Sequence, residues 1–120
     1  MYELRYYVTT DGKRPLTDWV DNLRDRQAKV RIKTRLDRLE DGNFGDHHAV
    51  GESVYELIID WGPGYRVYYA RIGQWILLLL CGGDKRNQDK DIERAKDYFK
   101  DHQTRSARKT PKGGPKRPLP

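Results

Sequence analysis

The sequence predicts an α+β fold in the order β-α-α-β-β-β-α, with an antiparallel-rich sheet and helices packed mainly on one face. Three observations carry this expectation. Two amphipathic helical stretches follow a short aromatic strand. Gly62-Pro63-Gly64 separates two β-rich runs, as a hairpin turn does. A nearly all-aliphatic run, Trp75 to Cys81, precedes one last amphipathic stretch.

Glu3 to Thr9 holds aromatic and β-branched residues and reads as the first strand. Asp11-Gly12 is turn chemistry, and Pro15 stands where a helix can begin. Leu16, Trp19, Val20 and Leu23 follow at the spacing of one helical face. A second helix is expected from Asp25 to Asp41, with Ala28, Ile32, Leu36 and Leu39 inward and Gly42 as its stop. Its other faces carry Arg24, Arg26, Lys29, Arg31, Lys33, Arg35 and Arg38 against only Asp25 and Asp37. Such a face is either ordinary solvated surface or a surface for RNA or a partner.

Asn43 to Gly51, with Phe44, His47 and His48, reads as a loop. Strands over Val54–Trp61 and Tyr65–Ile72 flank the glycine-proline-glycine turn. Trp75 to Cys81 is apolar enough for a central strand covered on both faces, ended by Gly82-Gly83. Asn87 is placed to cap the final helix, whose inward stripe is Gln88, Ile92, Ala95 and Phe99. After Asp101 the apolar pattern stops, so residues 1–101 are expected to form the domain and 102–120 a disordered basic tail.

The net charge of +6 belongs to that tail: residues 102–120 hold six basic residues and no acid, which leaves 18 basic against 18 acidic residues elsewhere. Overall charge therefore says little about the folded part, and local patches matter more. A single cysteine, Cys81, forms no internal disulfide, and no Cys/His set has zinc spacing. No signal-peptide order opens the chain and no apolar run spans a bilayer, so a cytoplasmic protein without metal or small-molecule cofactor is expected.

Side chains alternate along a strand, so the hairpin can be read face by face. With a three-residue turn, Asp60 opposes Arg66, Ile58 opposes Tyr68 and Glu56 opposes Ala70. Tyr55, Leu57, Ile59, Trp61, Tyr65, Val67 and Tyr69 then form the core face, and Glu56, Ile58, Asp60, Arg66 and Tyr68 the other. An arginine among acid and tyrosine suits a polyanion, because guanidinium binds phosphate in bidentate fashion. The plainer alternative is a cross-strand ion pair of Asp60 with Arg66. Lys85 and Arg86 follow the last strand, just before a helix whose free N–H groups favour anions.

Gly42-Asn43-Phe44-Gly45-Asp46, Val54-Tyr55-Glu56-Leu57, Gly62-Pro63-Gly64-Tyr65-Arg66-Val67-Tyr68-Tyr69, Leu79-Leu80-Cys81-Gly82-Gly83-Asp84-Lys85 and Gln88 to Ala95 together resemble the HigB-like branch of the RelE/ParE toxin superfamily over about residues 2–100. The resemblance implies that superfamily's β-α-α-β-β-β-α fold, a small helix-turn-helix antitoxin as partner, and metal-independent cleavage of mRNA on the ribosome, by attack of a 2′-hydroxyl on the adjacent phosphate. It implies Arg66 at the scissile phosphate and Lys85 with Arg86 as the basic position after the last strand. Glu56 stands where RelE carries a lysine, as base or as partner of a cation, and Tyr68 completes the catalytic set. The tyrosine of RelE's last segment falls near Ile92, and the C-terminal histidine of other members has no counterpart, which leaves His47 or His48 as a proton source. Lys29, Lys33, Arg105 and Arg108 are the expected RNA contacts. ParE relatives share the fold but inhibit DNA gyrase, and an inactive antitoxin-binding remnant is the third alternative.

Overall fold

A computed structural model describes residues 1–109 of the 120-residue chain. The elements are β1 (Glu3–Tyr6), α1 (Pro15–Asp21), α2 (Arg26–Glu40), β2 (His47–Gly51), β3 (Val54–Ile59), β4 (Tyr65–Ile72), β5 (Ile76–Asp84), a single 3₁₀ turn (Lys85–Asn87) and α3 (Gln88–Lys109). The fold is α+β, with five strands in the order β1-β5-β4-β3-β2. Only β1 runs parallel to its neighbour, β5; the other pairings are antiparallel.

The helices do not gather on one face. Leu16 of α1 and Ala28, Ile32, Leu36 and Leu39 of α2 pack on Leu57, Ile59, Val67, Tyr69, Leu77 and Leu79. Ala95 and Phe99 of α3 pack on the opposite face, against Val54, Tyr68, Ala70, Leu78, Leu80 and Cys81. The sheet is thus the middle of three layers, which explains why β5 is apolar on both faces.

Several expected boundaries move, and β1 ends at Tyr6 rather than Thr9. His47 to Gly51 is a strand, paired with β3, not loop; it is the far edge of the sheet, so its side chains stay mostly exposed and it lacks an apolar signature. The β3–β4 register places Ile59 opposite Tyr65, Ile58 opposite Arg66 and Glu56 opposite Tyr68, so Asp60 lies outside the ladder and does not oppose Arg66. Trp61 leaves the strand because its indole N–H donates to Asp25 Oδ2 at 2.9 Å, where Asp25 also accepts from the N–H groups of Gln27 and Ala28 as the N-cap of α2. That connection holds the Asp25 carboxyl below the usual carboxylate range, the indole hydrogen bond first and the helix N–H groups next. The shift of two residues preserves side-chain parity, so the core face is as expected.

Gly82-Gly83 does not end β5, which continues to pair with Val67 and Arg66 and reaches Asp84 opposite Tyr65. The two glycines permit close approach instead. A Cβ on Gly82 would lie 2.3 Å from the Trp19 ring of α1, and one on Gly83 would lie 1.9 Å from Asp91 Oδ2 of α3. Asn87 is not the helix cap either: Asp84 accepts from the Arg86 N–H and caps the 3₁₀ turn that leads into α3.

Helix α3 also runs past Asp101, so residues 102–109 are helical rather than tail. Polar contacts replace the apolar stripe there. The Tyr7 hydroxyl donates to Asp101 Oδ2 at 2.6 Å, Arg105 donates to the same oxygen and to the Val8 carbonyl, and Tyr7 stacks on Tyr98 with centroids 4.7 Å apart. The remaining expected tail, 110–120, lies outside the described residues.

Burial first, and then the Asp101 hydrogen bond, pushes the Tyr7 phenol up from 10.0 to about 12. A folded-state pKa raised in this way contributes stability that is complete below the ordinary tyrosine value and is lost as pH rises through about 12. Denaturant unfolding across alkaline pH is expected to show that loss, and Tyr7→Phe to lack its share. A variant with the same alkaline decline as the parent would remove Tyr7 from the clasp.

Candidate anion site at the end of the hairpin

Parity on β3 and β4 puts Glu56, Arg66 and Tyr68 on the α3 face, where α3 begins. Arg66 Nε donates to Glu56 Oε2 at 3.1 Å, and the pair is almost wholly enclosed, at 10% and 4% side-chain exposure. Two more donors meet the same oxygen: the Tyr68 hydroxyl at 3.1 Å and Gln88 Nε2 at 2.8 Å. Three donors on one carboxylate oxygen satisfy a charge that burial alone would make costly.

Glu56 therefore orients Arg66. The other contact of the guanidinium is Nη1 to the Gly64 carbonyl, at 3.0 Å. Gly64 has φ +83°, and a Cβ there would sit 3.3 Å from Arg66 Nη1 and 3.5 Å from Lys85 Cβ. Lys85 and Arg66 thus flank the same glycine, and Lys85 is exposed. Arg86 is exposed as well, but its guanidinium grips Asp84, with Nη2 2.9 Å from Oδ2. That pairing is also what holds the Asp84 carboxyl low.

Tyr68 is fully buried, and desolvation, followed by the Glu56 charge, drives its phenol far above the ordinary tyrosine value. It is a donor to Glu56 with no face open to a base or a leaving group. Glu56, in turn, is buried and holds its three donors on Oε2. The two histidines of β2 part company. His48 opposes Glu56 across β2–β3 and so shares its face, whereas His47 opposes Leu57 and packs its ring on Phe44, with centroids 5.3 Å apart. His48 is exposed and lies 3.4 Å from Asp46 Oδ1.

The four expected RNA contacts are not brought together. Lys29 donates to the Asp21 carbonyl at 3.1 Å, and Lys33 lies 3.9 Å from Asp37, both in a groove of about 400 Å³ between α1 and α2. Arg105 belongs to the α3 clasp, and Arg108 is exposed on the same helix. The basic surface of α2 that stays open lies elsewhere, with Arg31 and Arg38 in a groove of about 500 Å³ whose wall includes the partly buried Arg35, engaged with backbone carbonyls. There the Arg31 guanidinium stacks 3.9 Å above the Trp61 ring.

Gln88 is the position that a reading of the residues undervalues. A glutamine within the stripe of Ile92, Ala95 and Phe99 is its one polar member, and that anomaly was the available signal. Of the two histidines that the sequence offers as a proton source, it is the β2–β3 pairing that puts His48 on the face of Glu56. Asp91 is also enclosed against the sheet. Desolvation raises its carboxyl while Arg94, 2.6 Å away, counters the rise. Among the described residues no group of three or more His, Cys, Asp or Glu side chains is placed to hold a metal, and no helix is long and apolar enough to cross a membrane.

No family model matches the chain. It is 49% identical over 91 residues to an uncharacterized protein of Haemophilus influenzae, a match that covers 74% of this chain and 92% of that protein.

Proposed function

The chain belongs to one family with that Haemophilus influenzae protein, and we propose that it is a toxin of RelE/ParE type, HigB-like, that cleaves mRNA on the ribosome. The observation that carries this reading is the orientation of Arg66. A guanidinium fixed by a buried carboxylate at the end of a strand, beside exposed Lys85 and the first turn of α3, is prepared for one phosphate. Two cations at that phosphate would stabilise the extra charge of a phosphorane.

The reaction removes a proton from the 2′-hydroxyl, forms a bond from that oxygen to phosphorus, and releases the 5′-oxygen, which takes up a proton. His48, on the face of Glu56 and open to solvent, is the group placed to carry a proton; Tyr68 and Glu56 are not. The basic groove along α2, with exposed Arg31 and Arg38, suits the ribosomal RNA backbone. A cytoplasmic location and a helix-turn-helix antitoxin complete the proposal.

The sealing of Glu56 and Tyr68 favours one alternative, a toxin that acts by binding, such as a gyrase inhibitor. The two are separated by inducing the chain alone in a bacterial host and mapping 5′ ends of cellular mRNA within minutes. Arg66→Lys is the control, because it keeps a charge opposite Glu56 but loses the planar fork. Toxic cleavage is expected to produce new 5′ ends on translated messages, reduced at least ten-fold by Arg66→Lys. Growth arrest without new ends would favour the binding toxin, and undisturbed growth would sink both readings.

A further inference from the structure

The far end of the sheet carries a second arrangement of cations and rings. Arg71 lies five residues along β4 from Arg66, about 17 Å away at ordinary strand rise, and on the opposite face. The rings of Tyr2 and Phe44 meet edge to face at 5.3 Å, and Trp75 tilts against Tyr2 at 5.4 Å. The Arg71 guanidinium stands 5.7 Å from the centres of both Tyr2 and Phe44 and donates to the Tyr2 hydroxyl at 3.2 Å.

This cluster is built, not incidental. Phe44 sits in a loop held by Arg35, which donates to the carbonyls of Ile58, Phe44 and Asp46. Tyr2 is fixed by its N–H to the Glu40 carbonyl at the end of α2. Beside Phe44, the ring of Tyr69 is buried with a hydroxyl that has no hydrogen-bond partner among the described residues.

Two features point outward. Trp75 is 56% exposed, although an indole loses much by facing water. Arg71 is exposed, and among the described residues no carboxylate lies within 4 Å of it. An open indole beside a guanidinium without a counter-ion matches the two halves of a nucleotide, a flat base and a phosphate.

We propose that Trp75, Tyr2 and Arg71 form a second nucleic-acid contact, which stacks an unpaired base on Trp75 and holds its phosphate on Arg71. Base stacking on aromatic rings is tolerant of sequence, so the ligand class is single-stranded RNA or DNA of no fixed sequence. A folded protein is a poorer fit, since a stable protein interface needs about 800 Å² per partner and the large exposed apolar side chains here are Trp75 and Met1. The contact extends the toxin reading to a longer stretch of message, but it uses none of the residues on which that reading rests.

The test titrates the full chain with a short oligouridine and follows the indole and arginine Nε–H signals by NMR. Of the three tryptophan signals, that of Trp75 is identified with Trp75→Phe. The Trp75 and Arg71 signals are expected to move, and Trp75→Ala or Arg71→Gln to weaken binding about ten-fold. Both residues are surface positions, and the melting temperature of each variant checks its fold. Arg66→Lys is expected to leave the Trp75 shift in place, and an unmutated chain that shifts Trp75 but yields no new mRNA 5′ ends would tell against the toxin reading alone. Trp75 and Arg71 signals that stay fixed, or that respond to an acidic peptide and not to oligouridine, would overturn the proposal.

Discussion

Glu56→Ala is expected to lower the unfolding free energy by about 3–5 kcal/mol, because it leaves the Arg66 charge enclosed without its partner. The same change strands the Tyr68 hydroxyl and the Gln88 amide, each of which donates to the lost oxygen. Glu56→Gln keeps an acceptor and should cost less. The paired replacement Glu56→Leu/Arg66→Met removes both charges together and is expected to recover most of the loss, since an apolar pair avoids desolvating two ions. Chemical denaturation of the three variants reads the difference directly. Were the double variant no more stable than Glu56→Ala, the penalty would lie in packing rather than in an orphaned charge. A stable double variant would also separate stability from function, because it keeps the fold and deletes the guanidinium.

Gly82→Ala is the second large effect, at about 3 kcal/mol, the upper part of the usual range for an overfilled core. The new methyl would fall 2.3–2.9 Å from three atoms of the Trp19 ring, which lies against the strand. Gly83→Ala meets a carboxylate instead, and that can swing, so its cost should be smaller. The origin of the Gly82 penalty is checked by a double-mutant cycle with Trp19→Leu. A coupling of about 2 kcal/mol is expected, because the smaller side chain makes room for the methyl. Additive losses would mean that Trp19 is not what excludes a side chain at Gly82.

The same glycine pair shows where reading the sequence succeeds and where it stops. The apolar stripes of α1, α2 and α3 and the strands β3, β4 and β5 were legible because burial imposes a period on them. Gly82-Gly83 reads as a terminator, since a glycine that admits a neighbour and a glycine that ends a strand look alike in one dimension. β2 escaped notice because an edge strand with exposed His47, His48 and Ala49 has no such period. The side of the sheet on which α3 packs also left no local trace; it depends on the path of the chain after Asp84.

The site was half legible for a related reason. Parity alone placed Glu56, Arg66 and Tyr68 on one face, and a shift of two residues in register does not disturb parity. Partners were another matter. The pairing of Arg66 with Glu56 rather than Asp60 follows from Trp61 turning aside to Asp25, a contact between residues 36 apart in sequence. The end of α3 was misplaced likewise, because Arg105, Asp101 and Tyr7 hold it by polar contacts that no apolar pattern announces.

The parallel strand at the start of the chain has a consequence for synthesis. Among the described residues β1 pairs with β5 alone, Glu3 beside Ile76, about 70 residues later. At about 5–20 residues per second, a nascent chain carries that first strand unpaired for several seconds. Its apolar Leu4 and the later Tyr7 then have no sheet to join. β5 is also the strand that contacts both α1 and α3. Fragments that stop before Ile76 lack the strand that joins β1 to the rest of the sheet and packs against both α1 and α3.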